Sequence, residues 1–248
     1  MEFFNQNEQK VTIPDDVLNQ PVNNSHGKCG TVYHYKEGKC LKIYNREVTN
    51  KFYWLHPKIL KRLQNTGSKN LVEIDELFFK DKKDIPFTAD AYTMTFYKEY
   101  YNDFMDLPTD YLIENIESIL KFGKDCAENH IRLHDLKRDN SIFTKERIIL
   151  CDPDHHQDIS FPGESELAKV NYSCISAYFA NLTEEALKNK KYHDFLLENN
   201  LYRDYIAYSL FPITTNPKKA MRTITKRLNG HETVEDYVYS LKKKKKYF

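Results

Sequence analysis

HDLKRDN, residues 134–140, with Asp152 twelve residues further on, is the most informative part of this sequence. Before it, apolar residues recur at alternating steps of four and three over residues 111–132, which predicts a long helix capped by Thr109 and Asp110. After it, SIFT (141–144) and IILC (148–151) predict two short strands. The hairpin formed by these strands would fold the chain back and bring Asn140 close to Asp152.

The side chains of this stretch suit phosphoryl transfer. That reaction needs a carboxylate to orient the attacking hydroxyl, oxygen ligands to hold magnesium against the phosphates, and often a lysine beside the transferred group. Asp135 can be the carboxylate, Asn140 and Asp152 the ligands, and Lys137 the lysine. The plainer alternative is a solvated, acidic turn between a helix and a hairpin.

A second pattern lies near the N-terminus, where GKCGTV (27–32) is followed by Lys42. Gly27 and Gly30 would let the backbone come close to phosphates, and Val32 after the turn could cover an adenine. TVYHY (31–35) and KCLKIY (39–44) predict two strands joined by the three-residue loop 36–38. Taken alone, this pattern is better explained as the entry to an ordinary hairpin.

The remaining elements follow from local signals. Strands are expected around residues 77–80 and 92–97, and a short helix over residues 51–63 should have Pro57 in its first turn or be kinked by it. Asn216 followed by Pro217 predicts the start of another helix, with Gly230 as its stop. The first hundred residues thus suggest strands with one helix, and the rest mostly helices, which is an α+β chain.

The order DLKxxN, strand hairpin and aspartate resembles the catalytic loop and metal-binding aspartate of protein kinases. The resemblance implies an α+β, two-lobed protein-kinase-like fold. Residues 1–97 would form a small, β-rich, nucleotide-binding N-lobe, and residues 98–248 a helical C-lobe with the catalytic loop and metal site. It also implies that Asp135 is the catalytic base, that Lys137 contacts the γ-phosphate of ATP, and that Asn140 and Asp152 bind Mg²⁺.

The N-terminal pattern resembles the kinase glycine-rich loop GxGxxGxV, with Ser25 in place of its first glycine. The resemblance implies that Gly27, Gly30 and Val32 bind ATP. Cys40-Leu41-Lys42 resembles the VAIK strand, so that Cys40 would line the nucleotide site and Lys42 would pair with the α- and β-phosphates as a catalytic residue. The strand over 92–97 would lead into the adenine hinge, with Met94 as the gatekeeper and Thr95, Phe96 and Tyr97 as the hinge. The resemblance extends from about residue 23 to about residue 182.

Four features depart from the kinase pattern. The helix glutamate that pairs with the strand lysine is missing: His56 stands at its position, and Glu47 could replace it only in a rearranged helix. Leu133-His134-Asp135 replaces His-Arg-Asp, so no arginine is present there to hold a phosphorylated activation loop, and we expect activity that needs no loop phosphorylation.

The other two departures follow Asp152. Asp152-Pro153-Asp154 replaces Asp-Phe-Gly, and the proline makes a flip of this turn harder, while Asp154 is either a further metal contact or a turn residue. The segment after it is short, with only Pro162-Gly163-Glu164 faintly similar to the usual Ala-Pro-Glu. A second long helix should begin near Asn171, which leaves a reduced platform for a peptide substrate.

Composition excludes several classes of protein. The net charge of +1 over 248 residues gives no general attraction to nucleic acid, and no apolar run approaches the length of a membrane span. Five cysteines without a CxxC motif make a disulfide framework or a zinc site improbable, and His155-His156 lacks further ligands. The N-terminus does not resemble a signal peptide, so we expect a cytoplasmic protein; whether it is injected into a host as an effector stays open.

The leading hypothesis is a Ser/Thr-directed protein kinase that binds ATP and Mg²⁺, because Lys137 lies two residues after Asp135. The first alternative is a small-molecule kinase of the aminoglycoside or choline type, which the reduced peptide platform favours. The second is a pseudokinase scaffold, which His56 favours, and the third is an unrelated α+β domain with chance motifs. The lysine run at 242–246 is interpreted as a solvated helix end rather than a lipid or nucleic-acid contact.

Overall fold

The computed structural model describes residues 1–27, 30–45, 47, 55–85, 87–153, 156–159 and 163–244, with residues 23–27 and 243–244 described for their backbone alone. Lys28 and Cys29 of the glycine-rich turn lie outside the described residues. So do Asp154, His155, Pro162 and the end of the lysine run.

A seven-stranded antiparallel sheet is built from the first 95 residues, in the order β2-β1-β6-β7-β5-β4-β3. Its strands are β1 (Glu2–Asn5), β2 (Lys10–Thr12), β3 (Pro21–Gly27), β4 (Gly30–Lys36), β5 (Lys39–Tyr44), β6 (Ile74–Phe79) and β7 (Ala91–Thr95). The two strands predicted over 31–35 and 39–44 are confirmed as β4 and β5. Their turn has two residues instead of three, and Gly38 adopts the positive φ of 69° that the turn requires.

Helices dominate the rest of the chain. The described residues form α1 (Asp15–Leu18), α2 (Pro57–Asn65), α3 (Thr109–Glu128), α4 (Glu164–Ala186), α5 (Lys190–Glu198), α6 (Arg203–Leu210), α7 (Pro217–Leu228) and α8 (Val234–Lys244). Two small antiparallel pairs complete the fold: β9 (Ser141–Phe143) with β10 (Ile148–Leu150), and β8 (Ile131–Arg132) with β11 (Gln157–Asp158). The α+β class is therefore confirmed. No helix among the described residues is long and apolar enough to cross a membrane.

Several helix boundaries differ from those predicted. Pro108 occupies the N-cap position of α3 without a side-chain cap, so the prediction that Thr109 and Asp110 cap this helix was wrong. The Thr109 hydroxyl instead donates to the carbonyl oxygen of His231 at 2.6 Å. The helix expected to begin near Asn171 begins at Glu164. By contrast, Pro57 does begin α2, and the Asn216 side chain caps α7 by accepting from the Lys219 N–H at 3.1 Å.

The hydrophobic core consists of three clusters. The largest joins α3, α4 and the helices that follow, and the other two lie against the sheet. The clusters interlock, because Leu63 and Leu71 pack into the helical cluster while Ile149 of β10 packs into a sheet cluster. The division into lobes at residue 97 stays a prediction.

The chain between α2 and β6 is bonded directly to β10. Asn70 accepts from the Leu150 N–H at 2.7 Å, its side-chain amide donates to the carbonyl oxygen of Ile148 at 2.8 Å, and the Val72 N–H donates to the carbonyl oxygen of Leu150 at 3.0 Å. These bonds fix β10, the strand that leads to Asp152, to the segment that precedes β6 of the large sheet.

Candidate active site

The loop that follows α3 is anchored by a fully buried asparagine on α4. Asn171 accepts from the Leu133 N–H at 2.9 Å, and its amide donates to the carbonyl oxygens of Gly123 at 2.9 Å and Ile131 at 3.0 Å. A side chain at position 123 would push the end of the Ile175 side chain aside, so Gly123 lets α3 and α4 pack closely without that shift. Asn171 thus fixes the start of the candidate catalytic loop.

Three of the predicted catalytic and metal-binding residues are joined by hydrogen bonds. Asp135 Oδ2 accepts from Lys137 Nζ at 2.8 Å and from Asn140 Nδ2 at 3.0 Å, and Asn140 Nδ2 also contacts the carbonyl oxygen of Asp135 at 2.9 Å. Asp135 has a φ of 55°, in the left-handed region that is uncommon outside glycine. Such backbone strain concentrates at functional sites, where the surrounding structure maintains it.

The ammonium group of Lys137 is surrounded by the carboxylates of three aspartates. Burial by itself would lower the pKa of Lys137, but the hydrogen bond and charge of Asp135, with the nearby charges of Asp152 and Asp139, raise that pKa above its ordinary value. Lys137 is therefore a fixed cation at neutral pH. It can stabilise negative charge on a transferred group but cannot act as a base.

The other side of the loop is held by a chain of hydrogen bonds to α4. Tyr178 donates to Ser141 Oγ at 2.6 Å, and Ser141 Oγ donates to the carbonyl oxygen of Lys137 at 2.8 Å. Arg138 donates to the carbonyl oxygen of Ser141 at 2.7 Å and forms an ion pair with Glu99. The loop is thus fixed at both ends, which gives its side chains defined positions.

Lys42 on β5 reaches the aspartate that follows β10. Lys42 Nζ lies 2.9 Å from Asp152 Oδ1, although the two residues come from distant parts of the sequence. Lys42 is only 3 % exposed, so its charge requires a nearby anion, and the rings of Tyr44 and Tyr92 lie 5.3 and 5.8 Å from its amine. Asp152, like Asp135, has a positive φ, of 53°.

Asn140 and Asp152 present oxygen atoms that suit magnesium. The Cys151 N–H donates to the carbonyl oxygen of Asn140 at 2.8 Å, which places the residue before Asp152 beside Asn140. The Asn140 side chain donates both of its hydrogen bonds within the described residues through its nitrogen, and its Oδ1 can face another partner. No group of three or more His, Cys, Asp or Glu side chains converges within the described ranges. A metal here would therefore take part of its coordination from phosphate and water, as Mg²⁺ commonly does.

Four of the residues predicted to line the nucleotide site belong to one hydrophobic cluster. Cys40 and Met94 are buried in it as cross-strand partners, and Val32 and Tyr97 pack against it. Burial raises the pKa of the Cys40 thiol to about 11. These side chains are thus apolar and close together, as the flat face of a base requires.

The glycine positions belong to the hairpin of β3 and β4. The backbone of Gly27 pairs with Gly30, and Val32 pairs with Lys42 on the next strand. A side chain at position 30 would collide with the carbonyl oxygen of Ile43. Gly30 therefore has a structural reason to be glycine, whether or not its backbone also approaches phosphates.

Two of the three backbone N–H groups in the proposed hinge, residues 95–97, already bond within the protein. The Thr95 N–H donates to the carbonyl oxygen of Glu73 and the Phe96 N–H to that of Gly38, both at 2.9 Å. Within the described part of the chain, no hydrogen bond uses the Tyr97 N–H. If residues 95–97 bind an adenine, the Tyr97 amide is the donor that the geometry favours.

Helix α2 makes no glutamate contact to Lys42 of the kind found in kinases. His56 lies at its N-cap, and burial lowers the pKa of His56, although the Asp158 charge opposes that shift. Glu47 is an exposed residue in a turn. The buried lysine is instead compensated by Asp152, so the loss of the helix glutamate does not leave its charge unbalanced.

Instead, α2 is tied to the segment after Asp152. Arg62 forms an ion pair with Asp158, and Lys58 Nζ lies 3.4 Å from the same carboxylate. Burial would raise the pKa of Asp158, but the hydrogen bond and charge of Arg62, together with Lys58, hold that pKa below its ordinary value. Asp158 is in β11, which pairs with β8 directly before the candidate catalytic loop.

Replacing Asp158 by Asn should lower the free energy of unfolding at pH 7 by about 1 kcal/mol, since the ion pairs are partly exposed. The folded pKa of Asp158 is depressed, so its contribution is present above the unfolded pKa, near 3.8, and is lost as the pH falls through the folded pKa. Urea denaturation should show that the difference in the free energy of unfolding between parent and variant shrinks below that pH. Asp75→Asn, which removes an ion pair elsewhere with Lys39, is the matched control. If Asp158→Asn and the parent are equally stable at pH 7, the ion pairs of Asp158 do not stabilise the fold.

Two residues that matter to this site were not predicted from the sequence. Asn171 could have been suspected, because it is a polar residue on the apolar face of a helix. Asp158 carries no local signal, since its partners on α2 are distant in the chain. His156 is buried and accepts from the His134 N–H at 3.2 Å, so its role in the fold is structural.

The sequence was also compared with known proteins. No family model matches it, and no curated protein matches it. The geometry of the site is therefore the basis for assigning a function to this chain.

Proposed function

We propose that this chain is an ATP- and Mg²⁺-dependent phosphotransferase with a two-lobed, protein-kinase-like fold, acting on Ser or Thr hydroxyls of a protein. The observation that carries the proposal is the 2.9 Å ion pair between Lys42 and Asp152. This ion pair joins the N-terminal pattern of residues 27–42, expected to bind phosphates, with the pattern of residues 134–152, expected to bind a metal. If the two patterns had arisen by chance, nothing would require Lys42 and Asp152 to lie in contact.

The proposed roles follow from the contacts. Asp135 orients the acceptor hydroxyl and takes its proton as the new O–P bond forms and the bond from the γ-phosphorus to the β–γ bridging oxygen breaks, which leaves ADP. Lys137 stabilises the charge of the transferred group, and Lys42 that of the remaining phosphates. Asn140 and Asp152 would hold Mg²⁺, which neutralises phosphate charge and orients the nucleotide.

The charge balance of the site supports the proposal of a divalent cation. Two lysines and two aspartates pair with each other, Lys42 with Asp152 and Lys137 with Asp135. The site therefore offers no excess positive charge to the phosphates of ATP, and its carboxylates repel them. A cation held by Asn140 and Asp152 would reverse that balance and leave Lys42 to contact phosphate.

A small-molecule kinase of the aminoglycoside or choline type is the second candidate. The segment between Asp152 and α4 contains only eleven residues, 153–163, which favours a small acceptor over a docked peptide. Lys137, which bonds to Asp135, favours a protein acceptor by the resemblance described above. A pseudokinase remains the alternative in which nucleotide binds without turnover.

Radiolabelled ATP separates these three. The full chain would be incubated with labelled ATP and Mg²⁺, alone, with a panel of proteins, and with a panel of amino sugars and amino alcohols. Label on a protein supports the main proposal, and label on a small molecule supports the second candidate. Binding of Mg-ATP without transfer or hydrolysis supports the scaffold, and no binding at all would overturn the proposal.

Activity should not depend on phosphorylation of the segment after Asp152. Asp158 already supplies a permanent negative charge to Arg62 and Lys58 of α2, and position 134 carries a histidine instead of the arginine that would hold a phosphate. Phosphatase treatment of the purified protein should leave its rate unchanged, with an added phosphoprotein confirming that the phosphatase works. A large fall in rate would reveal a control site on another residue.

A further inference from the structure

Basic side chains are concentrated on the outward side of α7. Its inward side is apolar and belongs to the helical core cluster. Residues 203–230, which include α6 and α7, contain six Lys or Arg and one Asp, so their net charge is +5, whereas that of the whole chain is +1. Positive charge is therefore strongly localised in this protein. The basic residues of α7 are Lys218, Lys219, Arg222, Lys226 and Arg227, and the helix has no acidic residue.

The charges of α7 are not balanced within the fold. Among the residues that the structure describes, no carboxylate forms an ion pair with a basic side chain of this helix. Asp204, the single acidic residue of the segment, lies 3.6 Å from Arg203 instead. Lys218 and Lys219 are in the first turn of α7, where the helix dipole already supplies partial positive charge. The outward side of α7 therefore attracts external anions.

A row of exposed tyrosines lies on α6, which precedes α7. Tyr202, Tyr205 and Tyr208 recur at three-residue intervals, and the first two are 79 % and 71 % exposed. Within the described part of the chain, no aromatic contact involves these rings. Ile213, between the two helices, is also exposed. Tyrosine combines an apolar ring with a polar hydroxyl, which suits the boundary between lipid and water.

The tyrosines and the cations lie on the same side of the molecule. Helices α6 and α7 pack against each other, and both bury their apolar sides in the same core cluster. Burial raises the pKa of Tyr237 on α8, and Arg227 of α7 and Tyr205 of α6 both act on that hydroxyl, so these two residues lie near the same group. An extended surface that approaches this side would meet the rings and the charges together.

We propose that the outward sides of α6 and α7 bind an anionic membrane surface, so that the protein attaches to the bilayer without spanning it. A cluster of lysines and arginines on an amphipathic helix is typical of proteins that bind anionic lipids. The cations would contact lipid headgroups, while the tyrosine rings enter the boundary region. A plane is favoured over a peptide or a nucleic-acid strand because the rings project from a helix surface, whereas those ligands are usually held in a groove.

The test measures binding of the full chain to lipid vesicles by co-sedimentation. One kind of vesicle contains phosphatidylcholine alone, and the other contains equal amounts of phosphatidylcholine and phosphatidylserine. A fluorescent single-stranded oligonucleotide and a fluorescent polyglutamate peptide are titrated in parallel, with anisotropy as the readout. Neither ATP nor an acceptor is present, so the result does not depend on the proposed phosphotransferase function.

Three double variants are compared with the parent. R222Q/K226Q removes two charges from α7, and Y202S/Y205S removes two rings from α6. K61Q/K69Q is the matched control, because it removes the same charge from exposed lysines on α2 and on the segment after it. All these side chains are exposed, so the variants should fold, which thermal unfolding verifies.

The parent should bind the vesicles that contain phosphatidylserine at least about tenfold more tightly than the others, and added salt should weaken that binding. R222Q/K226Q should lower the affinity by about 25-fold, at about fivefold for each charge. Y202S/Y205S should lower it by about tenfold, since two rings no longer enter the boundary region. The control should keep the parent affinity.

Three results would overturn the inference. The first is equal binding of the parent to both kinds of vesicle. The second is an unchanged affinity in either α6 or α7 variant, or an equal fall in the control, which would mean that the surface defined here is not the contact. The third is binding of the oligonucleotide or the acidic peptide without binding of vesicles, which would assign the basic surface to that polyanion.

Discussion

Replacing Asp135 by Asn is expected to lower the rate of phosphoryl transfer by about 10²–10⁴-fold. Asparagine keeps the shape of the side chain but loses its negative charge and its ability to accept a proton. The anchoring of the loop by Asn171 does not involve position 135, so the variant should fold like the parent. Initial rates of ADP formation at saturating acceptor measure the effect.

The affinity for Mg-ATP should change little in this variant, because Asp135 contacts the acceptor in the proposed mechanism. Asp139→Asn is the matched control, since Asp139 is an exposed aspartate of the same loop whose charge also acts on Lys137. A parent rate in Asp135→Asn would remove this residue from the mechanism. An equal fall in both variants would mean that the rate follows the general charge of the loop.

Replacing Asp152 by Ala should abolish stabilisation of the protein by Mg-ATP, and replacing it by Asn should weaken that stabilisation. A ligand in thousandfold excess over its dissociation constant stabilises the folded state by about 4 kcal/mol, and that increment should vanish when a metal ligand is lost. The same change leaves buried Lys42 without its carboxylate, which costs the free protein about 3–5 kcal/mol. The quantity to compare is therefore the increment on adding Mg-ATP, measured by urea denaturation with and without ligand.

Asp152→Asn is the milder of the two variants, because its amide oxygen can still accept from Lys42. Asp90→Asn is a suitable control: Asp90 is a buried aspartate that accepts from the Lys80 N–H at 2.7 Å, so its loss weakens the fold without removing a proposed ligand. That control should keep the full increment. If Asp152→Ala keeps it as well, Asp152 does not bind the metal.

The parts of the fold that local chemistry specifies were the parts predicted best. The turn at Gly38, the start of α2 at Pro57 and the cap at Asn216 each depend on a few neighbouring residues. The cap proposed at Thr109 failed because the hydroxyl has a distant partner, His231, which no local pattern contains. Strands β1 and β2 went unrecognised because they are only four and three residues long.

The candidate site shows the same limit. The spacing in the sequence was enough to select four candidate site residues, because one loop and one hairpin hold them together. These are Asp135, Lys137, Asn140 and Asp152. The contact between Lys42 and Asp152 could be expected only through a resemblance to a family, since nothing in the sequence between them specifies their distance. The attachment of α2 through Asp158 could not be expected at all, because its partners Lys58 and Arg62 are distant from it in the chain.

The hydrogen bonds between Asn70 and β10 have a mechanical consequence. Leu150 is bonded to the chain on the sheet side, two residues before Asp152, whereas the loop that carries Asp135 is bonded to α4 through Asn171. The two aspartates are thus held by different anchors, and the bond from the Cys151 N–H to the carbonyl oxygen of Asn140 links those anchors next to the site. A substitution at Asn70 or at Asn171 would therefore be expected to change the distance from Asp152 to Asp135, although neither asparagine carries a proposed chemical role.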